Sequence, residues 1–482
     1  MKLANQTTTA TRLVKDAFAK IKFFADYNIF ISTCEEEALK KAADIDDRIA
    51  HGEKVGRLAG ATYVLKNNFL KKGAEVTAAA KILTKFISPV DATVVEKLEK
   101  EDAILLGHVN LDAFAHGSST ENSYFGPTLN SHDQTRVAGG SSGGSAVAVA
   151  LDIAEFATGS DTGGSIRQPA SFNGIYGLKP TFGAVSRYGV VAMGSSLDCI
   201  GFFTKSPDDI DLLMSICSGQ DDKDMTTLPD FYNVNYETVS REGCYPSEAS
   251  EPREDGSERA RSNNLHYKIG VIKDFDNDAI DPEIRQALQT KCETLKNKGH
   301  EIIELDMPTL KYALAVYYII QPAEVTSNLS RYDGVRYGFR SPATTNLDSL
   351  YTDTRGEGFM SENKRRIMIG NFVLSSGFYD AYFLKAAKAR TLIIQEFAKA
   401  FEKCDFILTP VSPNPAFKLG EKVGDPVAMY LEDVMSVTAN LAGIPGLAVP
   451  AGTTKNGLTL GLQLLGPRRS DKSLIEFSKE LA

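Results

Sequence analysis

Apolar residues follow a helical period near the start of the chain and form short continuous runs further on. Within residues 10–50 the helical spacing is carried by Leu13, Phe18, Ile21, Phe24, Ala38, Ala42 and Ile45. Residues 61–65 and 103–106 are apolar runs typical of strands, and residues 90–100 predict a helix that Pro89 or Asp91 begins. The alternation predicts an α/β fold built in layers, with residues 1–55 as an N-terminal helical layer.

The second half of the chain continues this alternation after one polar interruption. Residues 240–264 are charged and nearly devoid of large apolar side chains, which predicts a mobile surface insert. Beyond it, residues 282–298 predict a helix with proline in its first turn. The predicted strands are residues 267–272, 302–303 and 406–408, followed by a terminal hairpin over residues 446–466.

A long stretch rich in glycine, serine and threonine lies between residues 139 and 183. It is interrupted by the apolar residues 146–151, whereas a flexible linker would be uniformly polar. We therefore interpret the stretch as glycine and serine turns around a helix of small residues, where backbones approach closely.

Length and charge exclude several classes of protein. The 482 residues fit either about three domains or one large α/β unit. The formal net charge of −9 argues against binding nucleic acid by bulk charge. Six cysteines without a CxxC pair are typical of a reduced, cytoplasmic protein. We see neither a targeting pattern near Met1 nor an apolar run of about 18 residues, so we expect no membrane association.

The histidines give little support to familiar hydrolase or metal sites. The six histidines lack metal-ligand spacing, so we expect no metal. Residues 139–143 match the G-x-S-x-G elbow of α/β-hydrolases, but polar residues precede the match where that fold needs a strand. A phosphate-binding loop is also disfavoured, because its terminal Gly-Lys-Ser/Thr is missing.

A serine hydrolase without a catalytic histidine needs another base, and a buried neutral lysine can serve. Lys66 follows the apolar run 61–65, although an ordinary lysine at a strand end remains open. Ser165 follows Thr162, Gly163 and Gly164, whose successive backbone N–H groups could receive an oxyanion. A plain glycine and serine turn is the alternative for this segment.

Two of these segments together resemble the amidase signature family. They are Gly139-Gly-Ser-Ser-Gly-Gly-Ser-Ala146 and Gly159-Ser-Asp-Thr-Gly-Gly-Ser-Ile-Arg-Gln-Pro-Ala170, with Gly177-Leu-Lys-Pro-Thr181 beyond them. The resemblance implies one domain over residues 1–482, with helices on both faces of a large mixed β-sheet. It also implies a catalytic set in which Ser165 attacks an amide, Ser141, joined through a cis peptide bond, relays the proton, and Lys66 is the final base.

One residue departs from the family pattern. The family usually has Lys-Asp-Asn where this chain has Lys66, Asn67 and Asn68, so a carboxylate is replaced by an amide. Loss of a nearby anion lowers the pKa of a lysine and favours its neutral form, but it also removes an orienting acceptor. The effect of Asn67 on the rate is therefore left open.

Segments outside the catalytic region resemble the A subunits of tRNA-dependent amidotransferases, a branch of the same family. They include residues 114–124, 183–189, 327–334, 364–370, 430–433 and 440–446. The resemblance implies glutamine as the amide donor, with Arg366 for its carboxylate, Asp433 for its ammonium and Tyr317 lining the pocket. An Arg fork and a charged acceptor suit those two groups.

The resemblance further implies a heterotrimer that converts Glu-tRNA(Gln) to Gln-tRNA(Gln). A B subunit would use ATP and Mg²⁺ and hold the mischarged tRNA, a C subunit would clasp this chain, and this chain itself would need no cofactor. Whether Glu-tRNA(Gln), Asp-tRNA(Asn) or both are served stays open. The alternatives are a stand-alone amidase for another small amide and a catalytically weakened scaffold.

Overall fold

A single mixed β-sheet runs through the molecule. The computed structural model describes residues 8–229, 231–232, 266–275 and 279–481. Eleven strands lie in the order β1-β3-β2-β4-β6-β5-β10-β11-β9-β7-β8. In chain order, β1 to β11 are Phe30–Thr33, Thr62–Lys66, Ile104–Val109, Phe156–Asp161, Tyr176–Lys179, Cys199–Thr204, Lys268–Ile272, Glu301–Leu305, Phe406–Pro410, Gly446–Thr453 and Thr459–Leu465. The expected large mixed sheet is confirmed.

Helices cover both faces of this sheet, as expected. In chain order, α1 to α14 are Ala10–Phe23, Glu35–Ala50, Thr93–Lys100, Gly143–Ala150, Arg167–Asn173, Pro207–Cys217, Pro282–Asn297, Ala313–Leu329, Leu347–Gly358, Ser361–Leu374, Lys385–Phe401, Pro426–Leu431, Val437–Ala442 and Asp471–Ser478. A π-helical turn, Asp380–Leu384, leads into α11. None of the helices in the described part of the chain combines the length and the apolar character that spanning a bilayer requires.

The core is divided by the sheet because successive strand residues point to opposite faces. In β2, Tyr63 and Leu65 join a cluster with residues of α3, α6, α7 and α14. Val64 joins a second cluster with residues of α1, α2 and α4. A third cluster packs α8, α11 and α13 against β9 and β11. The central strands are thus buried on both sides, which explains why they appear in the sequence as continuous apolar runs.

Parallel strands at the centre of the sheet fix where the polar segments meet. Strand β2 pairs in parallel with both β3 and β4, so the carboxyl ends of these strands lie at one edge. Lys66 ends β2 and Asp161 ends β4. Ligands in open α/β sheets bind outside the carboxyl ends of the strands, and this edge carries the candidate catalytic residues.

The fold corrects some expectations about individual elements. Residues 1–55 contribute α1 and α2, but they also add β1, an edge strand antiparallel to β3. Helix α3 begins at Thr93 rather than near Val90, because Asp91 accepts a hydrogen bond from the Lys72 N–H instead of capping the helix. The hairpin of β10 and β11 is confirmed. The predicted insert at residues 240–264 lies outside the described residues.

Candidate active site

Lys66 is fully buried at the end of β2, with its ammonium inside a ring of serine hydroxyls. Its Nζ lies 2.8 Å from Ser141 Oγ, 2.7 Å from Ser142 Oγ and 2.9 Å from Ser160 Oγ. The apolar strand residues before it carry its stem into the core.

Burial lowers the pKa of Lys66 to about 7, although Asp112, Asp161 and Asp198 act to raise it. A substantial fraction of Lys66 is therefore neutral at physiological pH and can accept a proton.

Ser141 reaches Lys66 from the turn that precedes α4. The Gly140–Ser141 peptide bond is cis, as the family resemblance implied. The turn is tied to the second serine segment at two points: Ser142 N–H donates to the Ser165 carbonyl at 3.2 Å, and Gly140 N–H donates to Gln168 Oε1 at 3.0 Å. The structure thus brings together the two serine-rich segments that the sequence analysis singled out.

The turn that carries Ser165 is held by a buried ion pair. Asp161 Oδ1 accepts from Gly164 N–H at 2.9 Å, and its Oδ2 accepts from Ile166 N–H at 3.1 Å. Arg167 lies 3.0 Å from Asp161, with both side chains fully buried. Burial alone would raise the pKa of Asp161, but Arg167 outweighs it and lowers this pKa to about 2. A permanently charged pair therefore fixes the backbone around Ser165.

The turn before Ser165 is where an oxyanion would be received. Gly163 must lack a side chain because a Cβ there would lie 2.7 Å from the Tyr317 hydroxyl oxygen. Thr162 Oγ1 donates to Asp198 at 2.6 Å, which fixes the start of the turn. The N–H of Gly164 is already used by Asp161. Of the three N–H groups predicted to receive an oxyanion, that of Gly164 thus already has an acceptor, and the oxyanion site stays a prediction.

Asn67 points away from the Lys66 ammonium. Its Oδ1 accepts from the Thr77 N–H at 2.8 Å and from the Thr77 hydroxyl at 2.5 Å, while its Nδ2 donates to the Glu75 carbonyl at 3.2 Å. Asn68 instead joins the lysine network, because its Nδ2 donates to Ser160 Oγ at 3.1 Å. The side chain that departs from the family pattern thus supports the loop at residues 75–77, and Lys66 is oriented by serines.

Asp433 and Tyr317 belong to a buried cluster beside the turn of Ser165. Asp433 accepts a hydrogen bond from Ser118 Oγ at 2.7 Å on one oxygen and from the Tyr318 hydroxyl at 2.8 Å on the other. Burial raises the pKa of Asp433 to about 6, although both hydrogen bonds act to lower it. Tyr317 stands edge-on to Tyr318, with ring centroids 5.0 Å apart, and connects this cluster to Gly163.

Arg366 lies on the other side of Tyr318. Its guanidinium carbon is 4.4 Å from the Tyr318 ring centroid and 4.6 Å from that of Tyr430, and the two rings are stacked. Arg366 Nε donates to Glu362 Oε1 at 2.6 Å and its Nη1 donates to Gln321 Oε1 at 2.8 Å. The guanidinium is buried and forms an ion pair with Glu362, the kind of site in which arginine is favoured over lysine. The sequence candidates Arg366, Asp433 and Tyr317 therefore meet in one cluster.

Several side chains of the site were missed by the sequence analysis. Helical spacing could have found two of them, because Glu362 precedes Arg366 by one turn and Gln321 follows Tyr317 by one turn. The others lie within segments that resemble the family, but nothing in their local sequence indicates which side chains they contact: Ser118, Ser142, Ser160 and Tyr430. Within the described ranges, no cluster of three or more histidine, cysteine or acidic side chains is placed to hold a metal ion.

Comparison with known proteins identifies the family. A model of the amidase family matches residues 12–475. This chain belongs to the amidase family.

This amidase is similar over nearly its full length to the A subunits of glutamyl-tRNA(Gln) amidotransferases. It is 47% identical over 470 residues to A subunit 2 of the Clostridium acetobutylicum enzyme, covering 97% of this chain and 94% of that protein. It is 44% identical to the A subunit of the Persephonella marina enzyme, covering 96% and 90%. The crystal structure of the Thermotoga maritima A subunit matches with a TM-score of 0.75 and 36% identity, covering 97% and 90%.

Proposed function

We propose that this amidase is the glutaminase subunit of a tRNA-dependent amidotransferase. It would hydrolyse glutamine and supply ammonia for the conversion of Glu-tRNA(Gln) to Gln-tRNA(Gln). The observation that carries the proposal is the pair of opposite charges around Tyr318, which donates to Asp433 and lies under Arg366. An amidase for apolar amides would gain nothing from burying an aspartate and an arginine in its pocket. The names of the relatives point the same way.

In this proposal the two charges orient glutamine. Asp433 accepts from the α-ammonium, and Arg366 binds the α-carboxylate through charge-assisted hydrogen bonds. Tyr317 separates the two charges from the turn of Gly163, so the side-chain amide extends towards Ser165. The pocket thus positions the side-chain amide of glutamine by binding the α-ammonium and α-carboxylate at the other end of the molecule.

The proposed chemistry uses Ser165, Ser141 and Lys66. Ser165 Oγ attacks the amide carbon, its proton passes to Ser141 Oγ, and the proton of Ser141 passes to neutral Lys66 Nζ. The N–H groups of Thr162 and Gly163 receive the oxyanion. When the C–N bond breaks, the leaving nitrogen takes a proton back through the same relay and departs as ammonia. Water then attacks the ester carbon and gives a proton to the relay. The bond from the acyl carbon to Ser165 Oγ breaks, Ser165 Oγ takes that proton back from the relay, and glutamate is released.

The complete reaction needs partners. We expect a B subunit that holds the mischarged tRNA and activates it with ATP and Mg²⁺, and a C subunit that clasps this chain. The assembly would be a cytoplasmic heterotrimer with ligase activity, in which this chain uses no cofactor of its own. The net charge of −9 agrees with tRNA being held mainly by the B subunit.

Ammonia release tests the proposal. Glutamine, asparagine and an apolar primary amide are offered to the wild type and to Ser165→Ala, each alone and co-expressed with B and C subunits. We expect release that is selective for glutamine, requires Ser165 and increases with the partners. Preference for the apolar amide, independent of partners, would instead identify a stand-alone amidase. Complementation by Ser165→Ala with assembly intact would identify a scaffold.

A further inference from the structure

Three buried polar atoms around Arg366 have no hydrogen-bond partner among the described residues. They are His116 Nε2, Gln321 Nε2 and Asn363 Oδ1. All three side chains are 0% exposed, so bulk water does not reach them. An unpaired buried polar group costs about 1–3 kcal/mol. Three such groups beside one arginine indicate a place built for a polar ligand group.

Gln321 presents an unused donor next to the guanidinium. Its Oε1 accepts from Arg366 Nη1 at 2.8 Å, which fixes the orientation of the amide and leaves Nε2 as the unpaired end. Gln321 lies one turn after Tyr317 on α8, so both side chains are on the pocket side of that helix. The amide nitrogen therefore adds an N–H donor to those of Arg366.

His116 presents a second unused donor. Asn363 Nδ2 donates to the Ala113 carbonyl at 2.8 Å and lies 3.0 Å from His116 Nδ1, so Nδ1 is the acceptor in this pair. Burial and the charge of Arg366 lower the pKa of His116 to about 3, so the ring is neutral. A neutral imidazole that accepts at Nδ1 carries its proton on Nε2, which is the unpaired atom.

These groups are linked to one another around Arg366. Asn363 precedes Arg366 by three residues on α10, so both side chains share one face of that helix. Helix α10 packs closely on α8, because a Cβ at Gly370 would lie 2.0 Å from the Pro322 carbonyl oxygen. His116 belongs to the loop after β3, which also supplies Ser118 to Asp433. Gln321 thus contacts Arg366 directly, and His116 is linked to the helix of Arg366 through Asn363.

We propose that Gln321 and His116 are specificity-determining residues that donate, together with Arg366, to the carboxylate of the substrate. The inference rests on the proposed function and deepens it. A carboxylate is acceptor-only and has about four lone-pair sites, so it can pair with both unpaired donors and the guanidinium, whereas Asn363 Oδ1 is itself an acceptor and is not satisfied by it. A substrate without a carboxylate would leave these donors unpaired, and a site built to pair them rejects such a substrate strongly.

The test compares two amides with the full chain and its partner subunits. They are L-glutamine and 4-aminobutanamide, which is glutamine without its α-carboxylate. We expect His116→Phe and Gln321→Met each to raise KM for glutamine about 10-fold, the loss of one hydrogen bond to a charged group. The kcat/KM for 4-aminobutanamide should change less than about 2-fold, since it makes no such bond. Gln286→Glu, at an exposed position on α7, is the control for an unrelated glutamine.

A double variant tests whether Gln321 donates a hydrogen bond to the substrate or only positions the side chain of Arg366. In the Arg366→Met background, Gln321→Met should still raise KM for glutamine, because the substrate bond of Gln321 does not pass through the arginine. No further effect in that background would reduce Gln321 to a positioning residue and overturn its assignment as a donor. An equal loss with both amides in the single variants would indicate packing damage and overturn the carboxylate subsite.

The same data distinguish failure of this inference from failure of the proposed function. If the wild type releases ammonia from neither amide, the glutaminase proposal itself is contradicted, and the carboxylate subsite with it. If the wild type hydrolyses glutamine normally and the variants lose both amides alike, only the carboxylate subsite is contradicted.

Discussion

The catalytic region and the substrate pocket are built in different ways. Lys66, Ser141 and Ser165 stand at the ends of central strands or in turns tied together by backbone hydrogen bonds. Arg366, Asp433 and Tyr317 come from α10, from the loop after α12 and from α8, and side chains hold them together. The candidate catalytic residues thus lie at one edge of the sheet, in turns held by backbone bonds and by the Asp161–Arg167 ion pair, whereas the candidate recognition residues depend on the packing of helices and loops from separate parts of the chain.

The difference predicts how each region responds to substitution. A catalytic variant should lose the rate and retain substrate binding, because Arg366 and Asp433 are held by residues outside the catalytic turns. A pocket variant should lose affinity for glutamine and retain the chemistry on other amides. Measurements of kcat and KM with two substrates separate these outcomes.

The largest expected effect is that of Ser165→Ala. Loss of the nucleophile should lower kcat by a factor on the order of 10⁵ to 10⁶, as for other serine hydrolases. Binding of glutamine, measured by calorimetry, should be unchanged because Arg366 and Asp433 remain. Residual activity near that of the wild type would show that another group attacks the amide.

Lys66→Met should cause the second-largest loss of kcat. It removes the base without introducing a charge, and general base catalysis contributes about 10²- to 10⁴-fold. The fold should persist, but the melting temperature should fall, because the buried hydroxyls of Ser141, Ser142 and Ser160 lose the amine that they share. Steady-state ammonia release and a melting curve check both statements. A variant that keeps full activity would contradict the assignment of Lys66.

The pH dependence of kcat should follow the ionisation of Lys66. The working base is the neutral amine, and the pKa of Lys66 is about 7, so kcat should rise with pH through about 7 and then level off. The charged form of Asp433 binds the ammonium, so KM should fall as pH rises through about 6. A kcat that is flat between about pH 5 and 9 would be incompatible with this base.

Arg366→Met tests the pocket half of the comparison. Hydrogen bonds to a charged group contribute about 1.5–3 kcal/mol, so KM for glutamine should rise about 10- to 100-fold. Hydrolysis of an amide without a carboxylate should change little. If both substrates lost kcat to the same extent, the pocket and the catalytic turn would not be separable, and the contrast between the two regions would be wrong.

Asn67→Asp should have the smallest effect. The Thr77 hydrogen bonds persist with a carboxylate, but the bond to the Glu75 carbonyl is lost. The added anion raises the pKa of Lys66, so the midpoint of the kcat profile should move to higher pH. At neutral pH we expect a change of a few-fold, since a shift of one pKa unit alters the neutral fraction by at most about 10-fold. Asn67→Ala, which adds no charge, is the control.

The catalytic region could be predicted from the sequence because its information is local. An apolar run before Lys66 predicts a buried strand end, and two glycine and serine segments carry the family pattern around Ser141 and Ser165. The ring of serines around Lys66 could not be predicted, since Ser160 was hidden in a strand that the pattern did not reveal. Strand β4, Phe156–Asp161, contains glycine and polar residues and lacks a continuous apolar run.

The pocket was predictable only through resemblance. Neither Arg366 nor Asp433 differs locally from a surface charge, and their burial follows from how α8 and α10 pack. Asp433 bonds to Ser118, 315 residues before it, and Arg366 bonds to Gln321, 45 residues before it, as well as to Glu362 on its own helix. Side-chain hydrogen bonds over such separations leave no periodic signal, because they depend on the finished tertiary structure.

The most direct test of the proposed mechanism is to trap the acyl intermediate. Enzyme mixed with glutamine is quenched in acid within one turnover, digested, and examined by mass spectrometry. We expect a γ-glutamyl ester on the peptide that contains Ser165, absent in Ser165→Ala and strongly reduced in Lys66→Met. An ester on Ser141, or an adduct that still forms in Ser165→Ala, would contradict the mechanism.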